Sequence, residues 1–344
     1  MTLLQCGITG SLPKPRWLSD PNAQLRADWM VDTATLAEAQ DDAVRLAIAD
    51  QVAAGLDIVT DGEQRRRHYI WGFLEALEGV DAQRLGRKQT RGGRYTSELQ
   101  NVARVVGEVR RIGPIFVDAL RFAKDQTDRP VKVTLPGPMT IVDSVVDEHY
   151  GDSLPDLAMR FAQILNAEAK ALAEAGADIV QFDEPAFNID TDAVAEWGIA
   201  TLEHAAAGVE TQRAVHICYG YGVPSVIAWK NRNQDWGHYG HTLPLLNESS
   251  IDQVSVECAA SGVDVSVIQH LSRKRVMLGV ISVSTDDVET PELVARRIRA
   301  GLEYCDPERL MPCTDCGLVP RPRPVASAKM RSLAAGTALV RDAL

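Results

Sequence analysis

The sequence predicts one (β/α)8 barrel of the TIM type, with residues 1–344 forming a single domain. Three observations support this. "AGLDIVTDGE" (54–63) and "AGADIVQFDEP" (175–185) share A-G-x-D-I-V, and each follows an amphipathic helix. Eight apolar runs alternate with helical material, and no linker or low-complexity stretch divides the chain. No G-x-G-x-x-G follows any run, so the dinucleotide-binding form of an open doubly wound sheet has no support. Eight βα units in 344 residues suit a closed barrel.

The first run, "LLQCGITG" (3–10), leads into Thr9-Gly10-Ser11. Val44, Ile48 and Val52 then fall at helical spacing, Gly55 suits a helix C-cap, and the second run ends in Asp61-Gly62-Glu63. Residues 86–112 interrupt the alternation, and their pattern predicts a hairpin-like insertion. The third run is "VKVTLPG" (131–137). Leu157, Phe161, Ile164, Leu165 and Leu172 mark the next helix, and the fourth run ends in Asp183-Glu184-Pro185. The fifth, "AVHICYG" (214–220), carries His216 and Cys218. Residues 221–250, with Trp229, Trp236 and Tyr239, read as a long loop with a short helix over that strand end. The last three runs are "DQVSVECA" (252–259), "RVMLGVISV" (275–283) and "RLMPCTDCG" (309–317). In a barrel, the polar residues at all these strand ends share one mouth, where chemistry is carried out.

Composition excludes several classes of partner. A formal net charge of −11 argues against nucleic acid and anionic membranes, both of which need a basic face. No run approaches the ~18 apolar residues of a membrane span. The start of the chain lacks a basic stretch followed by an apolar one, so no secretory leader is expected. Six irregularly spaced cysteines suit a reducing cytoplasm, where they are free thiols or metal ligands.

His216 and Cys218 are the most informative pair. Residues i and i+2 of a strand face the same side, so H-x-C presents an imidazole and a thiolate together. Cys316, with Glu257 or Cys258 from the sixth run, can complete a tetrahedral zinc site. Spacing does not choose between those two. "PCTDCGL" (312–318) contains C-x-x-C, but a zinc ribbon needs a second such pair and none is present. A redox dithiol opens a helix, whereas here Gly317 and "PRPRP" (320–324) follow. A lone histidine on a strand is ordinarily a hydrogen-bonded structural residue, and acidic strand ends ordinarily cap helices. The coincidence of H-x-C, E-C and D-C-G-L at three strand ends favours zinc over those readings.

Taken in order, "TGSLPKP", "DGEQRR", "LPGPMT", "IVQFDEPA", "VHICYG", "VSVECA" and "CTDCGL" resemble the catalytic half of cobalamin-independent methionine synthases, from residue 9 to 318. The chain looks like a short, single-barrel form. The resemblance implies zinc on His216, Cys218, Glu257 and Cys316, and it selects Glu257 over Cys258. It implies that this zinc binds the thiol of homocysteine, which attacks the methyl group of a donor, 5-methyltetrahydrofolate, to give methionine. Thr9, Gly10 and Ser11 would hold the substrate carboxylate through backbone and hydroxyl, and Glu63 and Asp183 its ammonium. Arg104 would match a folate contact. Asp183 and Ser284 are then the catalytic candidates.

The donor side departs from the family. Ser284 stands where the family has a proton-transferring histidine, Ser144 lies near the place of its folate-stacking tryptophan, and Ile189 near that of an acidic residue. A serine cannot supply a near-neutral acid. Trp229, Trp236 or Asp143 can take over these roles, the donor can be a methylated corrinoid, or an accessory protein can carry the donor. Coenzyme M is the alternative thiol, though a sulfonate thiol has no ammonium to pair with Glu63 and Asp183. A zinc- or thiol-binding protein without activity would leave those carboxylates without purpose. Cys313 is expected to be a bystander facing away from Cys316, open to oxidation or stray metal.

Overall fold

The strands follow from continuous apolar runs. β3 (Lys132–Pro136), β5 (Ile179–Asp183), β6 (Gln212–Ile217), β7 (Gln253–Val256), β8 (Arg275–Ile281) and β9 (Leu310–Thr314) pair in parallel in that order. Strands covered on both faces read as unbroken hydrophobic stretches. The structure, a computed structural model, describes residues 2–20, 27–93, 98–151, 153–220 and 237–344.

The first two expected strands are shorter than their apolar runs. Each is reduced to single backbone bridges: Gly7 to Cys313 on one side and to Ile58 on the other, then Val59 to Val131. These bridges join β9 to the start of β3 and close the ring of eight. Asp57 limits the pairing, because its carboxylate accepts the Cys6 N–H (2.9 Å) and an Arg341 N–H (2.7 Å).

The predicted helices form around this ring. Leu36–Ala54 buries Val44 and Ile48 and ends at Gly55 with φ of 89°. Leu154–Glu174 buries Leu157, Phe161, Leu165 and Leu172, with Gly176 at φ of 91° just beyond it. In both, glycine takes the left-handed position that turns the chain into the next strand. After β7 the outer layer is only the 3-10 segment Val265–Leu271. Among the described residues no helix is long and apolar enough to cross a membrane.

One boundary is corrected, and one expected helix is located. The hairpin insertion begins at residue 77, not 86: β1 (Leu77–Lys88) pairs antiparallel with β2 (Gln100–Arg111). Register shifts at Glu78/Val80 and Asp81/Gly86 break the alternation of β1, which hid it from pattern reading. A short parallel strand, β4 (Val145–Asp147), joins β2. Of the loop expected over 221–250, residues 238–248 are an 11-residue helix (His238–Glu248) that buries Tyr239 and Leu243. Trp229 and Trp236 lie outside the described residues.

Inside the barrel each strand divides by depth. Ile58, Ile179, Ala214, Met277, Met311 and Cys313 form an apolar floor contributed by strand segments alone. Two residues further along, the same faces carry Gln181 and then Asp183 on β5, and His216 on β6. The interior therefore changes from apolar to polar toward the C-terminal ends of the strands. Cys313 belongs to the floor and stands outside the cluster of His216, Cys218 and Cys316, and its burial corrects only the expectation that it is open to oxidation. It is buried, and burial pushes its thiol up to about 12.

Candidate active site

The strand ends surround a cavity of about 890 Å3, whose lining includes Ser11, Glu63, Asp183, His216, Cys218 and Cys316. His216 is the fifth residue of β6 and Cys218 lies just past its end, so the two share a face. Cys316 arrives from the loop after β9. The ligand atoms of these three residues all lie within 4.8 Å of one another, and the two sulfurs are 3.6 Å apart. A tetrahedral zinc with sulfurs at about 2.3 Å would place them about 3.8 Å apart.

The imidazole is already oriented. His216 Nδ1 lies 2.8 Å from the Ser255 hydroxyl, and Nε2 is buried with no geometric hydrogen-bond partner among the described residues. A ligating histidine is ordinarily fixed in this way, with one nitrogen tied and the other given to the metal. Hydrogen bonding to Cys218, then burial and the charges of Cys218 and Glu257, raise the Cys316 thiol well above its usual range. Two such thiols become thiolates together only beside a cation. One nitrogen and two sulfurs suit zinc.

Glu257 is fully buried, and its Oε2 accepts the Tyr219 N–H at 3.0 Å. It stands beside the three-residue group without belonging to it. Cys258 is outside the group too; its N–H donates to Asp315 at 3.1 Å.

At the other end, Asp183 accepts a 2.8 Å hydrogen bond from Gln181, whose Nε2 also donates to the Thr9 carbonyl at 3.0 Å. Burial pushes the Asp183 carboxyl up to about 7, against the pull of His216. Glu63 lines the same cavity. Thr9 differs from expectation. Its hydroxyl donates to the Thr314 carbonyl (2.7 Å) and its N–H to the Thr314 hydroxyl (3.1 Å), so both donors serve the closure of the barrel. The Gly10 carbonyl accepts from Thr60 at 2.6 Å. Ser11 lines the cavity, with its hydroxyl packed against Gly317.

Not every strand-end carboxylate faces the mouth. Glu184 turns away and accepts Met139 N–H, Thr140 N–H and the Thr140 hydroxyl at 2.8–2.9 Å. It thereby caps the helix Pro138–Asp143, and a Cβ at Gly137 would lie 2.1 Å from its Cδ. This interlock accounts for "GPMT" and "DEPA" as one unit. Asp315 accepts the N–H groups of Cys258, Ala259 and Ala260 at 2.7–3.1 Å, fixing the loop after β7.

Three donor-side candidates stand outside the cavity lining. Arg104 is outside the cavity lining and forms a two-pronged ion pair with Glu148, because its β2 position faces β4 and the loop after it. Ser284 is also outside the lining, with its hydroxyl 2.9 Å from that of Ser282. Asp143 accepts the Arg91 N–H at 2.9 Å and does not reach the lining. Lining residues missed in the sequence include Lys14, Arg66, His68 and Trp71, and Gln100 and Asn101 of the hairpin. The basic and aromatic run "RRRHYIW" (65–71) after the second strand end was the available signal.

The family model described as the catalytic domain of cobalamin-independent synthase matches residues 6–338. A methionine synthase of Sulfurisphaera tokodaii is 32% identical, covering 100% of this chain and 94% of its own length. One of Saccharolobus islandicus is 34% identical, covering 100% and 97%. A solved B12-independent methionine synthase from a Shewanella species, in complex with selenomethionine, superposes with a TM-score of 0.95 at 43% identity, covering 99% and 98%.

Proposed function

Because the chain belongs to the cobalamin-independent methionine synthase family, and is a methyltransferase, we propose that it methylates the thiol of L-homocysteine at a zinc ion to give L-methionine. The observation that carries the metal is the cluster of His216, Cys218 and Cys316, whose ligand atoms all lie within 4.8 Å of one another with the two sulfurs 3.6 Å apart. His216, Cys218 and Cys316 would hold zinc, with Glu257 as the fourth ligand from its anchored position beside them. Bound there, zinc would keep the substrate thiol deprotonated at neutral pH. Glu63 and Asp183 would take the ammonium group, and Ser11 with the backbone of Gly10 the carboxylate. A sulfonate thiol such as coenzyme M offers no ammonium to those two acids.

The transfer forms a sulfur–carbon bond and breaks the bond between methyl and donor, whose leaving atom keeps the electron pair. With 5-methyltetrahydrofolate that atom is a nitrogen that needs a proton. Ser284 lies away from the cavity, while His68 lines it. The Ile70 N–H donates to His68 Nδ1 at 3.2 Å, so a neutral ring carries its hydrogen on Nε2 and can hydrogen-bond the leaving nitrogen, whereas handing over a proton requires the imidazolium. A methylated corrinoid would need no such proton, and an accessory protein could present either donor. We read residues 1–344 as one domain working in a reducing cytoplasm, in keeping with six cysteines that are all free.

The test supplies zinc-loaded protein and homocysteine with methyltetrahydrofolate or methylcobalamin, with and without cell extract, and detects methionine by mass spectrometry. Methionine is expected from at least one donor. If folate is used, His68→Gln lowers the rate about 100-fold, the scale of a lost general acid. Unchanged turnover of the folate donor in that variant removes His68 as the proton donor, and methionine from methylcobalamin alone selects the corrinoid. No methionine under any condition overturns the proposal.

A further inference from the structure

Glu63 is held in an unfavourable backbone conformation. Its φ of 57° lies in the left-handed region, which a non-glycine residue keeps only where its surroundings impose it. Its N–H donates to Asp61 Oδ1 at 2.9 Å. Its Oε1 accepts the Thr134 hydroxyl at 2.8 Å, and that hydroxyl accepts from Arg66 Nη1 at 2.9 Å. Nη1 also donates to the Thr134 carbonyl at 2.8 Å, and the guanidinium lies 4.0 Å from the centre of the Phe116 ring. Glu63, Thr134 and Arg66 are 5%, 2% and 3% exposed.

The direction of this chain of hydrogen bonds is fixed. A guanidinium only donates, and a hydroxyl has one hydrogen to give, so Arg66 donates to Thr134 and Thr134 to Glu63. Donation from a cation polarises the hydroxyl and strengthens its bond to the carboxylate. Gly10 closes the remaining side, since a Cβ there would stand 2.9 Å from Oε1. One carboxylate oxygen is thus locked, and the other remains for the cavity that Glu63 lines.

Building on the amino-acid substrate proposed above, we infer that Arg66 and Thr134 are positioning residues that aim Glu63 at the substrate ammonium and set the selectivity of the site for amino-acid thiols. Neither residue touches the reacting sulfur. Thr134 comes from β3 and Arg66 from the loop after the second strand, so two neighbouring barrel units cooperate in one contact.

The test is calorimetric titration of zinc-loaded protein with homocysteine and with 4-mercaptobutanoate, which keeps thiol and carboxylate but lacks the ammonium. Wild type is expected to prefer homocysteine. Thr134→Val keeps the shape and the carbonyl but removes the hydroxyl. It should weaken homocysteine binding about tenfold and leave 4-mercaptobutanoate within about twofold. Thr134→Ser, which retains the hydroxyl, should restore the preference. Equal weakening of both ligands in Thr134→Val would reduce the pair to a structural brace and overturn the inference, as would a preference that survives the substitution. A wild type without preference would instead refute the amino-acid substrate reading itself.

Discussion

On the zinc reading proposed above, His216 shows how one side chain is prepared for a metal. Ser255 holds Nδ1, β6 fixes the backbone, and Nε2 is left among thiols. Removing a ligand removes both a bond and this preparation. Zinc content is expected to fall from about one per chain to less than about a tenth of that in His216→Ala and Cys316→Ala. Cys313→Ala should retain its zinc, because Cys313 lies in the apolar floor with Met277 and Met311. Metal analysis of the purified variants by mass spectrometry checks this; full occupancy in the first two variants would refute the ligand set. The H-x-C pair was legible because a strand's period of two puts both ligands on one face. That Glu257 is anchored by Tyr219, and that the donors of Thr9 serve Thr314, was not legible, since both bonds join distant segments.

Between elements, carboxylates at strand ends act as clasps. Glu184 leaves β5, crosses to the helix Pro138–Asp143 and occupies three donors at its N-terminus. The clasp requires a bare backbone at Gly137. Gly137→Ala should destabilise the protein by about 3 kcal/mol, the upper range for an overpacked buried site. Chemical denaturation measures it, and an unchanged midpoint would mean that the clasp yields freely. The hairpin was partly legible. Its second arm was anticipated, whereas the first is interrupted by register shifts that erase its alternation. It supplies Gln100 and Asn101 to the cavity wall, a role that depends on how it folds over the barrel mouth.

Across the whole molecule, closure and interior polarity are linked. Arg341, in the helix Arg323–Arg341, donates to the carbonyls of Leu3 (2.9 Å) and Leu4 (3.0 Å) and to Asp57, tying the last helix to the first two barrel segments. The closed interior leaves Lys132 buried, with its Nζ donating to the Ile8 carbonyl at 2.8 Å. Burial lowers it from 10.5 to about 8, with Cys313, Asp183 and Glu63 opposing that shift. Its unfolded form therefore binds more protons than the folded one between those values. The cost of keeping it charged, about 3 kcal/mol, is fully present below about 8 and disappears as pH rises toward 10.5. Lys132→Met should thus gain stability over wild type at pH 7 and lose that gain by about pH 10.5. Urea titrations of both proteins across this range test it; a pH-independent difference would show that Lys132 is not held at such a cost.

The sequence by itself determined the eight-unit barrel, the helix ends at Gly55 and Gly176, and the pairing of His216 and Cys218 on one face. Those properties are local, written in hydrophobic period, glycine geometry and side-chain chemistry. Only the tertiary structure decided which strand-end acids face the cavity and which are clasps, that Arg104 and Ser284 stand apart from it, and that Arg66 reaches Glu63 through Thr134. Each of these depends on where a side chain from one barrel unit ends in the next. That is set by ring closure and by the requirement that buried polar groups find partners, and no stretch of sequence taken alone contains it.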